Sequence, residues 1–230
     1  MIGCLSAAAI VCAQKMDSFD SHVADYRLLM AKKVQVEVGL TEAQRAKLNS
    51  AAEHERTVAK PYLAELQKAG KDPATLSTDQ KYLGFLMELR DNCLKVLTPS
   101  QLKRLGQLSL QSVDIGGVLD VVVAKKIGMS VPQLTKVRSI YGDSVKKSSA
   151  IARQVDEGVA ANFKNVRVKT QAEAAAINER ITKERTDGLK KRQPELDKIA
   201  LQTKNAMQAV LTAKQLAAYK GLQGKIFAPK

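Results

Sequence analysis

The sequence contains few of the residue types that most often carry chemistry. It has no tryptophan, 4% aromatic residues and two histidines. The histidines, His22 and His54, have no spaced Cys or His partner, so we expect no metal site and no cofactor. Neither a phosphate-binding glycine loop nor a Gly-x-Ser-x-Gly elbow is present in the sequence. These absences predict a protein that is not an enzyme and has no catalytic residues.

Cysteine is also scarce and indicates no disulfide framework. Cys4 and Cys12 lie near the start of the chain, and Cys93 is the only other cysteine. A single cysteine in the rest of the chain cannot form an internal disulfide. Leu86, Leu89 and Cys93 share one helical face, so we interpret Cys93 as a core residue. An intermolecular disulfide is the alternative.

The first 13 residues carry no charged side chain and are almost wholly apolar. Val11, Cys12 and Ala13, followed by Gln14, fit a small-residue cleavage site, so we expect residues 1–13 to be a signal peptide that directs the protein to the periplasm or outside the cell. A basic leading region is missing. An apolar N-terminal turn that packs on the body is the alternative, and 1–4 would resemble a lipid-attachment box if the true start lay upstream. No other stretch approaches the ~20 apolar residues of a membrane span.

Charge is distributed unevenly along the chain. The formal net charge is +14, of which residues 1–115 contribute +2 and residues 116–230 contribute +12. We therefore expect acidic partners to bind the second half of the chain. Its aromatic residues between positions 114 and 197 are only Tyr141 and Phe163, too few for base stacking, so we do not expect a nucleic-acid partner.

Basic residues are densest between positions 164 and 192, where nine Lys and Arg stand against four Asp and Glu. We interpret this stretch as a helical insertion with two alternative roles, a solvated charged face or a basic surface that binds proteins or polyanions. The candidate binding residues are Lys164, Arg167, Lys169, Arg180, Lys183, Arg185, Lys190, Lys191 and Arg192.

One short phrase recurs: an apolar residue, Thr or Ser, two residues, then Gln. Such a phrase predicts a capping box, because the hydroxyl accepts a bond from a free backbone N–H and the Gln reaches back to the cap residue. The cap and glutamine pairs are Thr41 and Gln44, Thr98 and Gln101, Ser130 and Gln133, and Thr212 and Gln215. A fifth, weaker copy is Leu76-Ser77-x-x-Gln80.

The order of these phrases predicts an internal duplication. The first and third copies both follow a glycine, Gly39 or Gly128, and the second and fourth both follow a valine and a leucine. The offsets between the paired copies are 89 and 114 residues, so the second half holds an insertion. We therefore divide the chain into a first helical repeat over 14–115 and a second over 116–230.

No segment shows the period-two alternation of a strand, so the expected fold is all-α, built from helical hairpins. One long charged helix is predicted from Val131 to about Arg192. The other predicted segments are 15–38, 42–69, 78–96, 99–112, 118–127, 195–210 and 213–224.

The paired Leu-Thr-x-x-Gln phrases resemble the Spy/CpxP-like family of bacterial periplasmic proteins, in which two such motifs lie in a small helical cradle. Thr41 with Gln44 and Thr98 with Gln101 match the two family motifs, and Ser130 with Gln133 and Thr212 with Gln215 match them again. The resemblance implies an all-helical, often dimeric protein, in a family that includes an ATP-independent chaperone and an envelope-stress regulator. This chain departs from the family pattern in its length, its duplication and its lack of a His-rich segment.

These observations favour a non-enzymatic periplasmic protein that binds unfolded or envelope proteins, as an ATP-independent chaperone or stress protein. One alternative is a helical adaptor or coiled-coil homodimer with one dedicated envelope partner. The other is a polyanion-binding protein, for which binding would fall steeply with salt.

Overall fold

The computed structural model describes residues 18–70, 73–164, 166–168 and 170–228, and every regular element in these ranges is a helix. The chain is therefore all-α. The predicted signal segment 1–13 lies outside the described residues. Ten α-helices follow one another in these ranges: α1 Phe19–Val23, α2 Lys32–Val38, α3 Glu42–Lys68, α4 Gln80–Lys95, α5 Pro99–Ser112, α6 Val121–Lys126, α7 Val131–Phe163, α8 Gln171–Lys191, α9 Gln193–Val210 and α10 Ala213–Gln223.

Three short 3-10 helices connect some of these elements, over Tyr26–Met30, Pro73–Thr78 and Asp114–Leu119. Within the described ranges, none of the helices combines the length and the apolar character that crossing a membrane requires. The chain divides into two compact units. The first unit ends at Val113 and also includes the residues from Gly221 onward, and the second unit is Asp114–Lys220.

The first unit has a leucine-rich core. Leu29, Leu94 and Leu105 are fully buried there, and Phe227 from the end of the chain packs against the same cluster. The helix α1 lies against α5, and Gly106 makes this approach possible. A Cβ at Gly106 would lie 2.9 Å from a methyl group of Val23, so a side chain at this position would displace α1.

The second unit has a smaller core of branched residues. Val118, Val123 and Val137 are almost completely buried, together with Met207 of α9. The N-terminal half of α7 packs on α9, and Tyr219 donates a hydrogen bond from its hydroxyl to the carbonyl oxygen of Asp114. These contacts order the unit around one face of α7.

The predicted first helix, 15–38, is wrong as a single element. Its described part contains α1, a 3-10 helix and α2. Two side chains start new turns inside the stretch. The hydroxyl of Ser18 accepts from the N–H of Ser21 at 3.2 Å, and the carboxylate of Asp25 accepts from the N–H of Arg27 at 3.0 Å. Such local bonds compete with helix continuation, and the hydrophobic period alone did not reveal them.

The single helix predicted from Val131 to about Arg192 is also wrong. The structure ends α7 at Phe163 and starts α8 at Gln171. Thr170 caps α8, because its hydroxyl accepts from the N–H of Glu173 at 3.2 Å while the Glu173 carboxylate accepts from the N–H of Thr170 at 3.2 Å. Thr-x-x-Glu is itself a capping-box signal, and it marks this break in the sequence.

The fifth copy of the phrase does not start a helix at Ser77. Ser77 lies within the 3-10 helix Pro73–Thr78, and α4 is capped instead by Asp79, whose carboxylate accepts from the N–H of Tyr82 at 2.9 Å. The same carboxylate accepts from the hydroxyl of Tyr62 in α3 at 2.8 Å. Asp79 therefore ties α3 to α4 as well as starting α4.

The helices α7 and α8 form an antiparallel hairpin with a close crossing at Gly188. A Cβ at Gly188 would lie 2.7 Å from a methyl group of Val155, which real Cβ atoms do not tolerate. Gly158 lies in the same hairpin, but a Cβ there would meet nothing within 4 Å.

We predict opposite effects of alanine at these two glycines. G158A should raise the free energy of unfolding by up to ~1 kcal/mol, because alanine favours helix. G188A should lower it by about 1–3 kcal/mol, because the added methyl group forces α8 away from α7. Denaturant unfolding followed by circular dichroism measures both changes. Equal stabilisation by the two substitutions would contradict the close crossing.

Candidate functional site

The four capping phrases start α3, α5, α7 and α10, and each makes the bonds of a capping box. At Thr41, the hydroxyl accepts from the N–H of Gln44 at 3.2 Å, and the Gln44 side-chain oxygen accepts from the N–H of Thr41 at 3.0 Å. Thr98 and Gln101 make the same two bonds at 3.3 and 2.9 Å. Each phrase therefore satisfies two backbone donors that a helix start leaves free.

The two glutamines of the first unit also bind each other. The Nε2 of Gln44 donates to Oε1 of Gln101 at 2.7 Å, and Nε2 of Gln101 donates to Oε1 of Gln44 at 3.0 Å. The second hydrogen of each amide reaches a carbonyl at the end of another helix. Gln44 donates to the carbonyl of Val96 at 2.9 Å, and Gln101 donates to that of Gly39 at 2.8 Å.

The second unit repeats this arrangement with its own residues. Gln133 donates to Oε1 of Gln215 at 2.9 Å, and Gln215 returns a bond to Oε1 of Gln133 at 3.0 Å. Gln133 also donates to the carbonyl of Val210 at 2.9 Å, and Gln215 to that of Gly128 at 2.8 Å. Ser130 and Thr212 supply the matching capping bonds. We call each of these two arrangements a glutamine clasp.

The clasp leaves its glutamines no spare hydrogen-bonding capacity. A primary amide has two N–H donors and two acceptor lone pairs. In Gln44 both donors are used, and the oxygen accepts from the N–H of Thr41 and from Gln101. The sequence predicted the four caps separately but missed their pairing, which depends on how the chain folds. The capping glutamines therefore stabilise the fold and do not themselves form a ligand site.

An apolar cleft of about 570 Å³ lies in the first unit, between the segment 22–27 and α4. Leu83, Leu86 and Met87 of α4 form its apolar wall, and Met87 is 66% exposed. We call it the Met87 cleft. The sequence did not indicate this cleft, because the break after α1 that creates one wall was predicted as continuous helix.

Charged groups at the rim of the Met87 cleft are held by specific partners. Arg27 donates two bonds of 2.8 Å to the carboxylate of Asp25, and this pairing lowers the pKa of Asp25 although partial burial opposes the shift. Arg90 donates to Asp91 at 2.9 Å and to the carbonyl of Ser21. The rim thus presents guanidinium groups in fixed positions beside an apolar wall.

Three of the nine predicted basic residues hold the α7–α8 hairpin together. Arg185 pairs with Asp156 of α7 at 2.7 Å. Arg180 lies over the ring of Phe163, with its guanidinium carbon 5.3 Å from the ring centre. Arg192 donates to Gln154 of α7 at 3.1 Å and pairs with Glu195. These arginines have structural partners within the second unit.

The other predicted basic residues that the structure describes lie on α8 and at the connection between α7 and α8. Lys183, Lys190 and Lys191 are exposed on α8. Lys164 is the C-cap residue of α7, and Arg167 is exposed in 166–168, which has no regular secondary structure. Lys169 lies outside the described residues.

The histidines and acidic residues do not assemble a metal site in the described part of the chain, where no group of three or more candidate ligands occurs. His22 lines the Met87 cleft. His54 lies 3.9 Å from the carboxylate of Glu88, and both side chains are mostly exposed.

Comparisons with known proteins found no match: no protein-family model, no curated protein and no solved structure matches this chain. The resemblance to the Spy/CpxP-like family therefore stays a prediction based on the capping phrases. The internal duplication also stays a prediction, although both units contain a glutamine clasp.

We predict that the clasp stabilises the first unit cooperatively. Q44A should lower the free energy of unfolding by roughly 2–4 kcal/mol, since it removes a cap and leaves a carbonyl and an amide without partners. Q44A and Q101A together should cost less than the sum of the two, with a coupling of about 0.5–3 kcal/mol in a double-mutant cycle.

The matched control for this cycle is Q80A, because Gln80 belongs to the fifth copy of the phrase, is exposed, and follows the cap Asp79 at the start of α4. It should change stability by less than about 0.5 kcal/mol. Additive effects of Q44A and Q101A would show that the two amides do not act as a pair.

Cys93 is a buried thiol of the first-unit core. It is 0% exposed, and burial raises its pKa from 9.0 to about 11. The thiolate is the nucleophile in thiol chemistry, so Cys93 is protected from reagents while the unit is folded.

We predict that a thiol reagent modifies Cys93 at pH 8 only at the rate at which the first unit unfolds, with full reaction in denaturant.

The same burial predicts a pH dependence of stability. Above pH 9 the unfolded thiol ionises while the folded thiol stays protonated until about pH 11. The folded protein therefore loses stability as the pH rises through this window. C93A should remove this part of the pH dependence. Rapid labelling of Cys93 in the native protein would contradict its burial.

Proposed function

We propose that this chain is a non-enzymatic, ATP-independent protein-binding module of the bacterial periplasm, with chaperone activity toward unfolded chains. The Met87 cleft is the observation that carries this proposal. It offers an apolar wall of Leu83, Leu86 and Met87 in a cavity of about 570 Å³, a size typical of ligand-binding clefts.

The chemistry of the cleft suits clients of varied sequence. Methionine has a flexible, polarizable side chain that adapts to differently shaped apolar groups, and Met87 is 66% exposed. A chaperone must hold exposed apolar side chains without selecting one of them. Because α4 packs on α3 and on the 3-10 helix Tyr26–Met30, the wall keeps its position when no client is bound.

The positive charge of the chain supports the same proposal, because it raises the rate at which acidic clients encounter the protein. The chain carries a net charge of +14, so acidic unfolded clients would be attracted before apolar contact is made. Lys183, Lys190 and Lys191 are exposed on α8 and contribute to this attraction. Encounter by charge followed by apolar binding requires no nucleotide and no catalytic group.

The compartment is supported by sequence features alone. The apolar segment 1–13 ends in residues that fit a small-residue cleavage site, and the capping phrases resemble those of a periplasmic family. Export would also expose the protein to unfolded envelope proteins, which are the partners proposed here.

We predict that the full chain, added at equimolar or lower ratio and without ATP, suppresses the light scattering of a client that aggregates on reduction of its disulfides. M87E should weaken the suppression several-fold, because a carboxylate opposes apolar contact in the cleft. The circular dichroism spectrum and unfolding midpoint of M87E should match those of the unmodified chain.

The matched control is V36E. Val36 is an exposed apolar residue of the first unit, 71% accessible, and does not line the Met87 cleft. V36E should retain full suppression. The proposal fails if the unmodified chain suppresses no aggregation at any ratio, and the assignment to the cleft fails if both variants lose activity equally.

A further inference from the structure

The connection between α7 and α8 presents apolar and basic side chains together. We call Phe163, Lys164 and 166–168 the hairpin tip. Within it, 166–168 has no regular secondary structure, and Val166 and Val168 are 42% and 49% exposed. Arg167 lies between them and is exposed, and Lys164 is exposed at the end of α7. Exposed valines beside cations at a chain reversal have no role in the core of the second unit.

The charge around the hairpin tip has one sign. Between positions 158 and 172 the sequence contains three basic and no acidic residues. Two acidic groups of the α7–α8 hairpin accept hydrogen bonds from uncharged donors. Glu173 accepts from Thr170, and Glu184 accepts from the side chain of Asn162 at 3.0 Å. Among the described residues, no ion pair joins Lys164 or Arg167 to a carboxylate.

We propose that the hairpin tip is a docking element for the surface of an anionic lipid bilayer. The valines enter the boundary between headgroups and acyl chains, while Lys164 and Arg167 contact lipid phosphates. Basic residues next to apolar side chains are the combination that binds anionic interfaces. This role is independent of the Met87 cleft and goes beyond the chaperone function proposed above.

A bilayer fits the hairpin tip better than nucleic acid does. Contacts to a nucleic-acid backbone use cations and gain nothing from exposed valines. The single aromatic ring of the tip, Phe163, is half-buried and covered by Arg180, so it is not presented for base stacking. Charge complementarity and the exposed apolar pair both select a lipid surface.

The length of α7 provides a matched control. This helix spans Val131–Phe163, 33 residues, so its two ends are about 50 Å apart. Val131 is 77% exposed and Lys136 is exposed, both at the end opposite the hairpin tip. Substitutions there make the same change of net charge and replace one exposed valine without touching the tip.

The test uses the full chain and sedimentation with vesicles of phosphatidylcholine, with or without about one-third phosphatidylglycerol. Binding should require the anionic lipid and weaken with salt, because surface attraction acts within a Debye length. V166D/R167E should reduce the partition coefficient more than tenfold. V131D/K136E, which makes the same changes at the other end of α7, should leave it within about twofold.

A second readout exploits the absence of tryptophan from the chain. V166W places a single reporter in the hairpin tip, and its fluorescence should shift to shorter wavelength on anionic vesicles. V131W should show no shift. A blue shift reports entry into an apolar environment, which binding by charge alone would not produce.

The proposal is overturned if the chain does not bind anionic vesicles, if both double variants lose binding equally, or if V166W binds without a spectral shift. Binding of duplex DNA that is lost in V166D/R167E, with no vesicle binding, would assign the tip to nucleic acid instead. The aggregation assay separates the two proposals, since V166D/R167E should retain full suppression and M87E should retain vesicle binding.

Discussion

Reciprocal hydrogen bonds between two glutamine side chains determine how each unit is closed. In the first unit, the clasp joins four points of the backbone: the starts of α3 and α5 at Thr41 and Thr98, and the chain at Gly39 and Val96, where α2 and α4 end. A helix start leaves donors free and a helix end leaves acceptors free. A pair of amides satisfies both kinds at once and thereby fixes the distances between the helices.

The geometry of the clasp explains why glutamine is required at the third position after the cap. Glutamate would offer oxygen acceptors but no donor for the carbonyl of Val96, and asparagine would be one methylene group too short to reach its own cap residue and the opposing amide. Burial adds to the constraint. In the second unit Gln215 is only 9% exposed, so a donor left without a partner there would be costly.

Local signals were predictable from the sequence, and pairings over long separations were not. The helix starts at Thr41, Thr98, Ser130 and Thr212 were predicted because each cap is a bond between residues three apart. The clasps join residues 57 and 82 positions apart, and no local pattern encodes this contact. The break before Thr170 was missed for a different reason. The hydrophobic period continues through it, and only the capping box Thr170-x-x-Glu173 marks the new start.

The glutamines of the recurrent phrase have no hydrogen-bonding capacity left with which to bind a partner. All four hydrogen-bonding positions of Gln44 are used within the chain, so the recurrent phrase stabilises the fold. Binding then requires surfaces that the fold leaves incomplete. One wall of the Met87 cleft is the break after α1, where Asp25 caps the next helical turn, and the hairpin tip precedes Thr170, which caps α8. In both places a polar residue caps a new helix after a break in the chain, and apolar side chains near the break lie beside cations.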